Sequence, residues 1–249
     1  MDLQAEVKRA AAGATLHIAA GTYRVNLLIE RAITLVADGE VILDGQHRGS
    51  VICVKAPGSE VSLRGLTLIH GAATSGGGLA SVASDLLTLE RCQLTDNQAP
   101  SYGGGGLYAA SRKVLLTECV IQRNTARQGA GMLVERECRV TADGSDISLN
   151  VAVEGAAVRL RDGAQVVLRG CTVQDNKVVG EQAKGAAAML TGALLMRPLL
   201  ELVDVALAGN QGAADIWNEG QFPGTVQVRS SPLARMRLQK STGPNVRRP

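Results

Sequence analysis

Small and apolar positions recur along this chain at fixed distances from a series of asparagines. Asn97, Asn124, Asn150, Asn176 and Asn210 lie 27, 26, 26 and 34 residues apart. Eight residues before each stand Leu89, Leu116, Ala142, Leu168 and Leu202; five before, Cys92, Cys119, Ser145, Cys171 and Val205; three before, Leu94, Ile121, Ile147, Val173 and Leu207. These odd intervals fit strand alternation with a bend between columns. A glycine/alanine patch and a third short apolar run follow each Asn, as in "GGGGLYAA", "GAGMLVE" and "GAAVRLR". A repeat this short leaves no room for a helix. It predicts three short strands per rung and an all-β, single-stranded right-handed parallel β-helix whose rungs stack about 4.8 Å apart.

The columns have physical reasons. Asparagine tolerates the left-handed backbone of a tight corner, and its amide can bond from rung to rung as a ladder. Cys92, Cys119 and Cys171 read as small buried apolar residues rather than redox groups. Going backwards, the register continues through Gly71 and Gly45, so the solenoid starts well before the obvious repeats. Leu3, Val7 and Ala10 or Ala11 share one side of a segment from Asp2 to Ala12, which predicts a helix capping the first rung. The expected organisation is a cap helix over 1–12, the solenoid over 13–228 and a basic tail or linker over 229–249. The longest interval holds extra residues in "KVVGEQAK" and "TGALLMRP", expected as loops on one side.

Composition sharpens this picture. Trp217, Phe222 and three tyrosines are the only aromatics among 249 residues, and 29 glycines accompany them, which suits thin stacked layers. The net charge of +3 hides a tail in which Arg229, Arg235, Arg237, Lys240, Arg247 and Arg248 follow Glu219 with no acid among them. Without interleaved aromatics that tail reads as a solvated linker, and no specific nucleic-acid binding is expected. Five cysteines, with no CxxC pair and no Cys/His cluster, argue against a disulfide framework and a structural metal. No apolar run is long enough to cross a bilayer and the first residues lack a secretory h-region. The chain reads as cytoplasmic as given, or secreted if it is a fragment of a longer exported protein.

The stretch "ATLHIAAGTYRVNLLIERAITLVADGEVILDG" resembles the opening of pectate-lyase-like and copper-maturation-type periplasmic β-helix proteins. The Cys-x-x-x-x-Asn…Gly-Gly-x-Leu rungs are similar to the repeats of polymorphic outer-membrane proteins. The resemblance spans about residues 13–218. It implies the fold strongly and activity weakly, because this fold hosts lyases, hydrolases, epimerases, adhesins and inert scaffolds. Polysaccharide chemistry is the catalytic option it implies, by a lyase with calcium and a basic proton abstractor or by a hydrolase with paired carboxylates. The relatives' Asn-Thr-Asp strand, Asp-Asp pair and Asp-Pro-His-Asp string are all missing, the local order here being Leu94-Thr95-Asp96-Asn97. No catalytic residue carries over, and no cofactor is expected, calcium entering only with a lyase.

The register itself offers three surfaces. Asp44, His70 and Asp96 form a column one residue before the corner, followed by Arg123. Flanking carboxylates would favour an imidazolium able to serve as an acid or a metal ligand; the other reading is polar residues at exposed corners. Glu90, Thr117, Asp143 and Arg169 form a column on the first strand's outer face, where two acids about 10 Å apart approach an inverting carboxylate pair, or simply alternate in sign along a solvated sheet. Tyr108, Leu133, Arg159 and Met189 lie on the third strand's outer face, either as an exposed partner surface or beneath the extra loops. His17 reads as outward-facing. The expectation is a non-catalytic scaffold that docks a protein partner. The alternatives are a carbohydrate-active enzyme or glycan-binding module, and an isomerase using the His70 column.

Overall fold

The computed structural model describes residues 2–180, 183–192, 196–219, 223–229, 237–240 and 246–247. The chain forms a right-handed β-solenoid of about eight turns. Parallel pairing joins strands into a 22-stranded sheet that wraps the solenoid and a separate four-stranded sheet. A central rung shows the plan. Lys113–Thr117 lies on the first face, Val120–Gln122 on the second and Met132–Val134 on the third, with Thr125–Gln128 as an arm between the last two. Each strand pairs with its equivalents above and below: Leu116 with Leu89 and Ala142, Ile121 with Leu94 and Ile147, and Met132 with Leu107 and Val158. The arms form the small sheet.

The predicted columns point inward and are buried, apart from Leu207, which is partly buried against the core. The asparagine ladder is present. Each Asn Nδ2 donates to the next Asn Oδ1, at 3.2, 3.1, 3.0 and 3.1 Å from Asn97 to Asn210. The same Oδ1 accepts the preceding Asn backbone N–H, and Gly71 N donates to Asn97 Oδ1 at 2.8 Å. The backbone reason for asparagine needs correction. The left-handed residue is the one before it, Asp96, Arg123, Leu149, Asp175 and Gly209, and His70 does the same before Gly71, with φ between 52° and 60°. That residue turns the chain and points outward, while the Asn after it points in and ties the corners together.

The helix is shorter than expected, Leu3–Arg9, capped by Asp2, whose carboxylate accepts Ala5 N–H at 3.0 Å. It buries Leu3 and Val7 over the open end of the first rung. Gln4 closes the sheet edge as a further strand would, accepting from Leu28 N at 2.7 Å and donating to Leu28 O at 3.2 Å. At the other end most of 229–249 lies outside the described residues. Its described pieces are not a free linker: Leu238–Lys240 pairs with Ile216–Glu219, and Val246–Arg247 pairs with Thr225–Arg229. Arg237 ties this end down through Asp215 and the carbonyls of Asn210 and Gly212. The centres of both expected insertion loops, 181–182 and 193–195, fall outside the described residues.

Cys92, Cys119, Cys138 and Cys171 are buried and Cys53 is half-buried; all five are free thiols. Burial pushes Cys92 and Cys138 up to about 12 and Cys119 up to about 11. In the unfolded chain thiols lose protons first, so the stability these groups contribute is full below pH 9 and is lost as pH rises from there toward their folded values. Each adds a slope of about 1.4 kcal/mol per pH unit in that window. Urea melts should weaken steeply between about pH 9 and 11. A thiol reagent at neutral pH should label Cys53 alone in the folded protein and all five cysteines after denaturation.

Candidate functional site

The corner column is only partly assembled. His70 Nδ1 lies 3.2 Å from Asp44 Oδ1, which also accepts Gln46 N–H at 2.9 Å. The second flanking carboxylate is engaged elsewhere: Arg123 grips Asp96 through Nε and Nη2 at 3.1–3.3 Å, and Thr95 Oγ1 donates to it at 3.1 Å. Partial burial acts to raise the Asp96 pKa, but these hydrogen bonds outweigh it and leave it lowered. His47, not anticipated here, packs its ring 5.3 Å from that of His70. His17 is exposed and sits 2.9 Å from Asp38. Among the described residues no three His, Cys, Asp or Glu side chains come together as a metal site.

On the first face the expected column Glu90, Thr117, Asp143 and Arg169 is in register. Its acids do not face each other across a gap. Glu90 pairs with Arg91 at 2.9 Å and Arg64 at 3.4 Å, and Asp143 pairs with Arg169 at 3.6 Å. These are solvated alternating charges on a sheet face, each worth about 0–1 kcal/mol.

The third strand's outer face departs most from expectation. Tyr108, Leu133, Arg159 and Met189 share one column but are not exposed; each retains 6% or less of its accessible surface. They are covered by the arm, which folds back over them at a glycine in each rung. A Cβ on Gly103 would stand 2.7 Å from Leu133 Cδ2, one on Gly129 would stand 2.9 Å from Arg159 Cβ, and one on Gly185 would stand 3.1 Å from Met189 Cβ. Only hydrogen fits there, and the stripe is an interior seam.

That seam gathers the chain's most concentrated chemistry. Glu135 follows Met132–Val134 and leaves 4% of its side chain exposed. It accepts from Tyr108 Oη at 2.6 Å and Tyr102 Oη at 2.8 Å. The two rings meet edge to face, with centroids 6.4 Å apart. Arg136 and Arg161 each approach Glu135 at 3.6 Å, and Arg161 lies over the Tyr102 ring. Burial first, then the bond to Glu135, raises both tyrosine pKa values. Higher up, Arg159 lies 3.5 Å from Glu154, and burial lowers its pKa. Glu219 accepts from Lys184 at 2.7 Å and Trp217 Nε1 at 2.8 Å, bonds that outweigh burial and lower its pKa.

Tyr102, Glu135, Glu154, Arg161, Lys184, Trp217 and Glu219 were not anticipated as site residues. The signal available in the sequence was aromatic scarcity: Tyr102, Tyr108 and Trp217 are three of five aromatics, and all three lie at this seam. Tyr108→Phe should lose about 1–2 kcal/mol, because Glu135 keeps Tyr102 and two arginines. Glu135→Ala should cost about 3 kcal/mol or more, since it strands the buried Tyr108 hydroxyl. Thermal melts of the two variants check that order.

The fold and the seam define a parallel β-helix with one elaborated face. In sequence, residues 47–193 match the right-handed beta helix region family, and the chain belongs to that family. No curated protein matches the chain. Among solved structures it is similar to the pectin methylesterase of Aspergillus niger in its deglycosylated form, at 14% identity and a TM-score of 0.58, covering 97% of this chain and 86% of that one. The penultimately deglycosylated form of the same enzyme matches with the same values. At this identity the likeness is one of fold. Among the described residues no helix is long and apolar enough to cross a membrane.

Proposed function

We propose that this protein recognises a saccharide chain along the lip of the seam between the arm and the third face. The observation that carries the reading is the placement of the partly exposed Tyr102 and Trp217, with carboxylates and guanidinium groups, along one face of an otherwise aromatic-poor solenoid. Ring faces stack on sugar rings while planar charged groups read hydroxyls, which is the mix a sugar site needs. The shared fold with an enzyme that acts on pectin supports the same reading. Docking of a protein through the Tyr108–Met189 stripe loses its basis, because that stripe is covered. The reading is of recognition rather than turnover, since Glu135 and Glu219 already accept hydrogen bonds within the seam.

The test is calorimetric binding of the purified protein to a panel of polysaccharides, with Trp217→Ala and Tyr102→Ala beside first-face and corner controls Glu90→Ala and His70→Ala. Seam variants should weaken binding about tenfold, or about 1.4 kcal/mol, and the controls should leave it unchanged. Binding lost in Glu90→Ala or His70→Ala but kept in Trp217→Ala would move the site to another face. No binding to any member would end the reading.

A further inference from the structure

We infer that the seam selects an uncharged saccharide by its hydroxyls, an inference that rests on the reading above and names the ligand's chemistry. The first observation is charge balance. Arg159 faces Glu154, Lys184 faces Glu219, and Arg161 and Arg136 are matched by Asp162 and Glu135. Four cations meet four carboxylates at contacts of 2.7–3.6 Å, so no surplus positive charge is held for an acidic sugar. A ligand carboxylate would have to displace one of these acids or lie beside it, and like charges in a partly desolvated site repel.

The second observation is a set of unspent polar atoms. Arg159 is 5% exposed; its Nη1 has no hydrogen-bond partner, and its Nε meets the Glu154 carboxylate at 3.5 Å as an ion pair without a hydrogen bond. Gln128 Oε1 and Thr191 Oγ1 are likewise buried and unpartnered. These groups lie on three successive rungs of the same side of the solenoid. Gln128 is the register neighbour of Glu154 and precedes Gly129, which packs on Arg159; Thr191 stands in register between Arg161 and Glu219. Buried polar groups left unmatched are costly and call for a partner. Donors and acceptors are both left over here. An anion only accepts and would leave Gln128 Oε1 unserved; an ammonium only donates and would leave Arg159 unserved. A hydroxyl both donates and accepts, and since acidic sugars carry hydroxyls as neutral ones do, it is the charge balance that turns the preference toward an uncharged chain. The seam reaches solvent beside these atoms, where Arg161 and Lys184 each keep 31% of their side chains exposed and Trp217 is half-buried.

The experiment uses matched ligands on the whole protein: neutral glucan, xylan, mannan and galactan, and acidic polysaccharides each in native and carboxyl-reduced form. Neutral and carboxyl-reduced chains should bind about tenfold more tightly than the native acids. Their affinity should change less than about twofold between roughly 0.05 and 0.5 M salt, since screening has no ligand charge to act on. Thr191→Val, which keeps the shape and removes the unpartnered hydroxyl, should weaken binding about fivefold with an unchanged or raised melting temperature. Native acids binding more tightly than their reduced forms, with strong salt dependence, would overturn the inference while leaving saccharide recognition intact. Unchanged binding in Thr191→Val would overturn the assignment to this seam. Failure of every polysaccharide to bind would overturn both readings together.

Discussion

Asn150→Ala should destabilise the protein by about 3–5 kcal/mol and lower its melting temperature by about ten degrees or more. The size follows from what one side chain satisfies. Asn150 Oδ1 accepts from Asn124 N at 3.1 Å and Asn124 Nδ2 at 3.1 Å; its Nδ2 donates to Ile121 O at 2.9 Å and Asn176 Oδ1 at 3.0 Å. Alanine leaves the Asn124 N–H buried without an acceptor, and a buried orphan costs about 1–3 kcal/mol by itself. Asn150→Asp keeps the acceptor but sets a buried carboxylate oxygen against Ile121 O and Asn176 Oδ1, both acceptors, so it should cost at least as much as alanine. Thermal unfolding measures this directly. A shift under about two degrees for Asn150→Ala would mean that the ladder is not what holds the corner.

Gly71→Ala should abolish folding, or cost more than about 5 kcal/mol if folded material is recovered. Gly71 sits where the second-face corner meets the neighbouring third-face turn. A Cβ added there would lie 1.8 Å from Gly77 O and 2.5 Å from Gly77 C. Those are backbone atoms and cannot rotate away. The site is tied further by Gly71 N donating to Asn97 Oδ1 and Gln98 N donating to Gly71 O, both at 2.8 Å. Gly58 is the contrast: its φ is 69° but no atom lies within 4 Å, so Gly58→Ala should pay only the left-handed backbone cost of about 1–2 kcal/mol. Soluble expression and circular dichroism of the two variants decide the matter. A Gly71→Ala protein as stable as Gly58→Ala would show that the close approach of the two turns is dispensable.

Some of the candidate site was visible in the residues. The column Glu90, Thr117, Asp143 and Arg169 has the register its spacing implies, and His70 does reach Asp44. The spacing said nothing of which partner each group takes. Arg123 and Arg64, each on a neighbouring rung, reach across to Asp96 and Glu90, and Arg91 takes Glu90 from the next position in the chain, because long guanidinium side chains find the nearest carboxylate. The described pieces of the tail lie against the last rung for a related reason. Its basic composition suggests solvation, but Arg237 finds Asp215 and open carbonyls at the last corner, and a solenoid's final sheet edge is a template for any strand that follows.

The amino-acid sequence by itself determined the rung length, the inward columns and the asparagine ladder, because in a stacked solenoid each residue meets its equivalent one repeat away, so contact and periodicity are the same fact. Only the tertiary structure decided what lies over the outward positions. Alternation says that Tyr108, Leu133, Arg159 and Met189 point away from the core, but it cannot distinguish solvent from a second sheet. The arm covers them because Gly103, Gly129 and Gly185 let its backbone pass where a side chain would collide. That passage brings Tyr102 to Glu135, 33 residues away, and Lys184 to Glu219, 35 residues away. These separations differ from the rung period, and so the seam could not be read from the repeat.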